Sequence, residues 1–202
     1  MTYFLRKIFL ITGLILTSTA KCEDGYRLWM RYDKIDDQVI LDHYSSLITG
    51  FLYTGNSPVI ASSRNEMTAG LSGLLGKPVT EVVRAKRNEI IVAGTPGNSK
   101  IIESLKLESF LSEVGDEGYY IKTVRYGNKR TIVITANTDR EILYGTFHFL
   151  RLLQTHQRID NLTADFYPKV KMRLLNHWDN LDRSVKRGYA GLSIWDWYTL
   201  SD

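Results

Sequence analysis

The stretch centred on Gly127-Asn128 constrains this chain more than any other. Tyr119 to Tyr126 and Lys129 to Ala136 are β-rich runs separated by those two residues alone, and a two-residue Gly/Asn connection favours a tight antiparallel hairpin. Directly afterwards, Thr138-Asp139-Arg140-Glu141 has capping-box spacing, in which a Thr hydroxyl and a Glu carboxylate satisfy orphan backbone donors at a helix start. Ile142, Leu143, Thr146, Phe147, Phe149, Leu150 and Leu153 then recur on one wide face, which predicts a helix from Asp139 to about Gln154. A hairpin running into an amphipathic helix calls for a sheet with helices packed on it.

The preceding residues extend that pattern. Tyr26 to Tyr32 is β-prone, and Asp36-Asp37 stand at the start of a predicted helix through Leu47 that carries Val39, Ile40, His43 and Leu47 on one face. Gly50, Gly55 and Pro58 read as a loop, and Val59 to Ala61 as a short strand. Ser63-Arg64-Asn65-Glu66 reads as a capping box for a helix that stops at Gly76-Lys77-Pro78. Gly70 and Gly73 inside that helix predict close packing on a sheet. Glu89 to Ala93 reads as a central strand, and residues 99–111 as helical or irregular. The loop Gly94-Thr95-Pro96-Gly97-Asn98 lacks the Lys-Ser/Thr of a phosphate cradle and reads as a plain turn. His43 and His148 lie on largely apolar helix faces, where a hydrogen-bonded structural role is expected. Residues 23–160 are thus expected to form an N-terminal α/β sandwich, a mixed sheet with helices. Residues 161–170, polar and carrying Pro168, are expected to be a linker.

Residues 1–22 have the layout of a secretory signal peptide: Arg6 and Lys7, an apolar stretch from Ile8 to Leu16, then small residues through Ala20. Cleavage after Ala20 and after Cys22 both fit; Cys22 also offers a lipidation point, although Lys21 replaces the small residue expected before it. The expected location is secreted or periplasmic. Arg6, Lys7 and Lys21 with no acid account for three of the four net positive charges of the chain, leaving the rest at +1. Such a balance gives no field for nucleic acid, or for a membrane once the leader is removed. Cys22 is the only cysteine, so disulfides and thiolate metal sites are excluded.

From Lys171 the pattern changes. Met172 to Leu175 reads as a buried strand, after which Asn176, His177, Trp178, Asp179 and Asn180 follow in succession. Strand-to-loop junctions aim side chains from a rigid scaffold while leaving them open to ligand. The Trp178 face suits a sugar ring, His177, Asp179 and Asn180 suit its hydroxyls, and Arg187 suits a carboxylate, from substrate or from Asp179 or Asp182. A plainer reading makes Trp178, Trp195 and Trp197 core residues and the polar groups loop caps. No second histidine stands at ligand spacing for a metal, and no nucleophile elbow is present.

The run Leu175 to Asp182 and Arg187-Gly188-Tyr189-Ala190-Gly191 resembles the signature of the xylan-debranching α-glucuronidase family of glycoside hydrolases. Glu23-Asp24-Gly25-Tyr26-Arg27-Leu28-Trp29 and the helix from Leu143 to Gln154 are similar to that family as well. The resemblance implies an N-terminal α/β domain, a catalytic (β/α)₈ barrel beginning within residues 171–202, and a helical C-terminal region on which any homodimer would depend. It implies removal of 4-O-methyl-glucuronic acid from xylo-oligosaccharides with inversion and without metal or cofactor. Trp178 falls where the family sets an aromatic against the uronic acid. Lys186 departs from the family pattern, which has Glu there, and reverses a charge beside Arg187. The family's catalytic carboxylates lie on later barrel strands, so none is expected within this chain, which would hold only the truncated start of the barrel. The alternative is a non-catalytic carbohydrate-binding or accessory domain of another glycosidase.

Overall fold

The computed structural model describes residues 31–85, 89–170 and 172–174. Its centre is one five-stranded mixed sheet. The elements in chain order are α1 (Gln38–Leu47), β1 (Gly50–Tyr53), α2 (Pro58–Leu75), β2 (Ile90–Gly94), a 3₁₀ turn (Pro96–Asn98), α3 (Lys100–Ser104), α4 (Glu108–Val114), β3 (Tyr119–Tyr126), β4 (Lys129–Ala136), α5 (Asp139–Gln154) and β5 (Thr163–Phe166). The sheet order is β1-β2-β4-β3-β5. β1, β2 and β4 run parallel, and β3 is antiparallel to both β4 and β5. The expected α/β class with a mixed sheet is therefore what the chain adopts.

Strand alternation divides the core into two layers. Ile132, Ile134 and Ala136 of β4 face the cluster that holds Tyr44 of α1, Met67 and Leu71 of α2, and Phe149 and Leu153 of α5. Val133 faces the opposite cluster with Ile102 of α3 and Leu111 and Val114 of α4. That is the period of two expected of a strand buried on both sides. The hairpin pairs Tyr126 with Lys129 across Gly127-Asn128, as its sequence requires; Gly127 adopts φ +61°, which glycine takes without strain.

Several expectations need correction. The glycine-punctuated loop at Gly50 is strand β1: a Cβ there would stand 3.1 Å from Val82 Cγ1 and 3.2 Å from the Thr80 carbonyl, so Gly50 admits a neighbouring chain rather than marking a turn. Val59 to Ala61 is helix, not strand. α2 starts at Pro58 with Ser57 Oγ accepting from the Ile60 N–H at 3.3 Å, a cap plus a proline pre-set for the first helical position. Ser63 therefore lies inside α2, donating to the Val59 carbonyl at 2.9 Å, and Glu66 accepts instead from the Tyr32 hydroxyl at 2.9 Å. Gly70 and Gly73 approach Leu150 of α5 and the Tyr32 backbone rather than the sheet.

The expected linker contributes β5. Thr123 fixes its approach, its N–H donating to the Leu162 carbonyl at 2.8 Å and its hydroxyl to that of Ile159 at 3.0 Å. The capping box at Thr138 also differs: its hydroxyl donates to the fully buried Glu141 carboxylate, which Arg140 Nε joins at 2.8 Å, and no backbone donor is capped by Thr138.

Pro168–Asp202 forms a second unit. Within it, Arg173 donates to the Val170 carbonyl at 2.7 Å, and Met172 and Leu174 are exposed and outside any strand. The residues from Met172 to Leu174 are thus not the expected buried strand, because an apolar run becomes one only when a neighbour pairs with its backbone. Leu175 lies outside the described residues, as do 1–30 with the expected leader and most of Tyr26–Tyr32.

Candidate functional site

His177, Trp178, Asp179, Asn180 and Arg187 all lie outside the described residues. So do Lys186, Trp195 and Trp197. Within the described residues, two places are the first candidates for ligand chemistry.

The first is the carboxyl edge of the parallel strands, where open α/β sheets commonly take ligands. Here the chain satisfies its own groups. Arg64 of α2 donates to the Tyr53 and Gly55 carbonyls at 3.3 and 2.9 Å and pairs with Glu81 at 3.1 Å. Asp139, at the start of α5, accepts from Ser57 at 2.7 Å and from Asn98 at 3.5 Å. An acid already faces the Gly94–Asn98 loop, so the plain-turn reading of that loop fits the geometry.

The second is a cleft of about 590 Å³ along the outer stripe of α5. Tyr144, Phe147, His148, Arg151 and Gln154 recur at three- and four-residue steps and so share one helix face. Opposite them stand Tyr119 and Phe166, directly paired across β3 and β5. Their rings stack at 5.3 Å with planes 19° apart, and Tyr32 completes the wall. The Tyr119 hydroxyl lies 2.9 Å from His148 Nδ1. Burial pushes the Tyr119 phenol up to about 12, against a lowering influence of Arg151. Burial, and then the Arg151 charge, pull His148 below its ordinary value. Which of the two donates follows from the imidazole tautomer, since a phenol both donates and accepts. Tyr144 and Phe166 remain 41% and 47% exposed.

His43, the other expected structural histidine, sets Nε2 2.9 Å from Asp160 Oδ1. Burial works to raise the Asp160 pKa, but hydrogen bonds from Arg158 and His43 hold it below the usual carboxylate range. Both histidines are thus hydrogen-bonded as expected. The cleft itself escaped the sequence reading. Its signal was the spacing of Tyr144, His148 and Arg151 on the face opposite Ile142 and Phe149. Among the described residues, no three His, Cys, Asp or Glu side chains converge as a metal site.

Comparisons with known proteins extend to the residues the structure does not describe. The family model "Glycosyl hydrolase family 67 N-terminus" matches residues 28–149, and "Glycosyl hydrolase family 67 middle domain" matches residues 152–202. A probable alpha-glucuronidase A of Aspergillus oryzae is 31% identical over 197 residues, covering 94% of this chain and 22% of the relative. Alpha-glucuronidase A of Emericella nidulans is 30% identical over 196 residues, with the same shares. The chain therefore spans about a fifth of the length of these relatives. A solved family GH115 4-O-methyl-alpha-glucuronidase, described as specific for decorated arabinogalactans, is similar over 59% of this chain and 18% of its own, at 18% identity and a TM-score of 0.42. On the first family model alone, which covers more than half of its residues, this chain belongs to glycosyl hydrolase family 67.

Proposed function

We propose that these residues form the N-terminal part of an α-glucuronidase that removes α-1,2-linked (4-O-methyl-)glucuronic acid from xylo-oligosaccharides, with inversion, in xylan degradation. The observation that carries this is the order of the two family models, N-terminal then middle, along one chain whose relatives are named alpha-glucuronidases. In this reading the sheet and its helices precede a barrel that begins within residues 171–202. Trp178 supplies an apolar face to the sugar ring, His177, Asp179 and Asn180 hold hydroxyls, and Arg187 binds the uronic acid carboxylate as a two-point fork.

An inverting glycosidase needs a protonated carboxyl and a separate carboxylate base about 6.5–9.5 Å apart, with a water between base and sugar. We assign both to later barrel strands, as in the family resemblance, so residues 1–202 bind substrate and do not turn it over. We further propose export directed by residues 1–22.

The test is hydrolysis of aldouronic acids. Residues 1–202 should release no glucuronic acid. The same chain extended by the family's remaining barrel should release it first as the β-anomer, the inverted product of an α-linkage. Release by residues 1–202 alone, or first appearance of the α-anomer from the extended protein, would overturn this reading.

A further inference from the structure

Three features stand outside the proposed chemistry. At the sheet end, Arg158 and His43 hold Asp160 and leave it nothing to offer. On the α4 side, Phe110 stacks on Tyr120 at 4.9 Å, but Lys122 already sits 5.0 Å over the Phe110 ring and covers it. The cleft along α5 differs from both. It has open aromatic surface at Tyr144 and Phe166. It has a charge at Arg151, whose guanidinium forms no ion pair among the described residues, and none of those residues brings a carboxylate to its walls. Groups able to pair with hydroxyls line the same cleft: the carboxamide of Gln154, the imidazole of His148 and the phenol of Tyr144.

We infer that this cleft is a second carbohydrate site, which takes the uronic acid of a substrate chain by stacking on Tyr144 and Phe166 and by pairing its carboxylate with Arg151. The volume lies within the range of small-ligand clefts. Aromatic faces with few, placed polar groups are the composition such clefts use, and an Arg fork matches a carboxylate in shape as well as charge. A neutral xylan stretch would gain the stacking without the ion pair, so the site discriminates decorated from bare chains. The identity of the acidic sugar rests on the proposed α-glucuronidase reading. The preference for a carboxylated over a neutral sugar rests on the cleft alone.

The experiment is calorimetric titration of the 202-residue chain with an aldotetraouronic acid and, separately, with xylotriose. Arg151→Gln, Tyr144→Ala and Trp178→Ala serve as variants, each checked for an unchanged melting transition. Arg151 and Tyr144 are exposed, so neither substitution opens the core. The acidic sugar should bind at least about tenfold tighter than xylotriose, and Arg151→Gln added to Trp178→Ala should erase the preference that Trp178→Ala leaves, as expected for loss of one charge-assisted pair. Tyr144→Ala should weaken both ligands, and Trp178→Ala should leave the Arg151-dependent binding in place. Equal affinity for the two sugars, absence of binding by the folded chain, or acidic-sugar binding untouched by Arg151→Gln would each overturn the inference. Binding abolished by Trp178→Ala and unchanged by Arg151→Gln would remove this site while leaving the proposed function intact.

Discussion

Gly145 of α5 sits directly over Ile134 of β4: a Cβ built on the glycine would stand 2.6 Å from Ile134 Cγ2. Ile134 is fully buried on the central antiparallel pair, and its β-branched side chain has little rotamer freedom with which to retreat. The separation between helix and sheet is therefore set by one missing methyl group. Gly145→Ala should push α5 off the sheet and destabilise the fold by about 1–3 kcal/mol, more than offsetting the ~1 kcal/mol that alanine gains in helix propensity. Urea unfolding measures it. An unchanged or raised midpoint would show that α5 has room to spare.

A buried pair behind the same helix supplies an asymmetric test. Thr146 Oγ1 donates to the Ile142 carbonyl at 2.8 Å, so in the 2.6 Å contact with Tyr53 the phenol is the donor. Tyr53→Phe removes the donor and leaves the threonine satisfied, at about 0.5–1.5 kcal/mol. Thr146→Val strands a fully buried phenol and should cost more, about 1–3 kcal/mol. Equal costs in a denaturant series would mean that the Tyr53 hydroxyl finds another partner.

The wall of the cleft makes stability depend on pH in a defined direction. His148 has its folded pKa below the unfolded value of about 6.5, through burial first and the Arg151 charge second. The unfolded chain therefore binds the proton more readily, so the contribution is complete above the unfolded pKa and is lost as pH falls from there toward the folded value. His148→Gln should flatten the melting temperature between pH 7 and 5 relative to the parent chain. A parent chain whose stability rises on acidification through that range would contradict the assignment.

Local chemistry made much of this architecture readable. The hairpin turn, the apolar periodicity of α5 and the acids that open α1 are local signals, and each of these elements forms where the sequence placed it. The errors came where a residue's role is set by a distant neighbour. Gly50 looks like a loop glycine because nothing nearby reveals Val82. β5 is short, polar and mostly exposed, so only the open edge of β3 makes it a strand. The cleft was hidden for a related reason, since Tyr119, Phe166 and Arg151 come from three elements and meet only after the sheet has formed. The run at His177–Asn180, which we propose faces the sugar, was legible as a motif, and its partners are expected on strands far along the sequence.

The most direct measurement follows the ¹H NMR spectrum of an aldotetraouronic acid mixed with the 202-residue chain. The uronic acid anomeric resonance should broaden and shift as the sugar binds, no free glucuronic acid should accumulate over hours, and the combined Trp178→Ala/Arg151→Gln chain should perturb the resonance much less than the parent chain does. Accumulating free glucuronic acid, or a resonance that the parent chain does not perturb, would contradict the account of a substrate-recognising part of an α-glucuronidase that lacks its catalytic carboxylates.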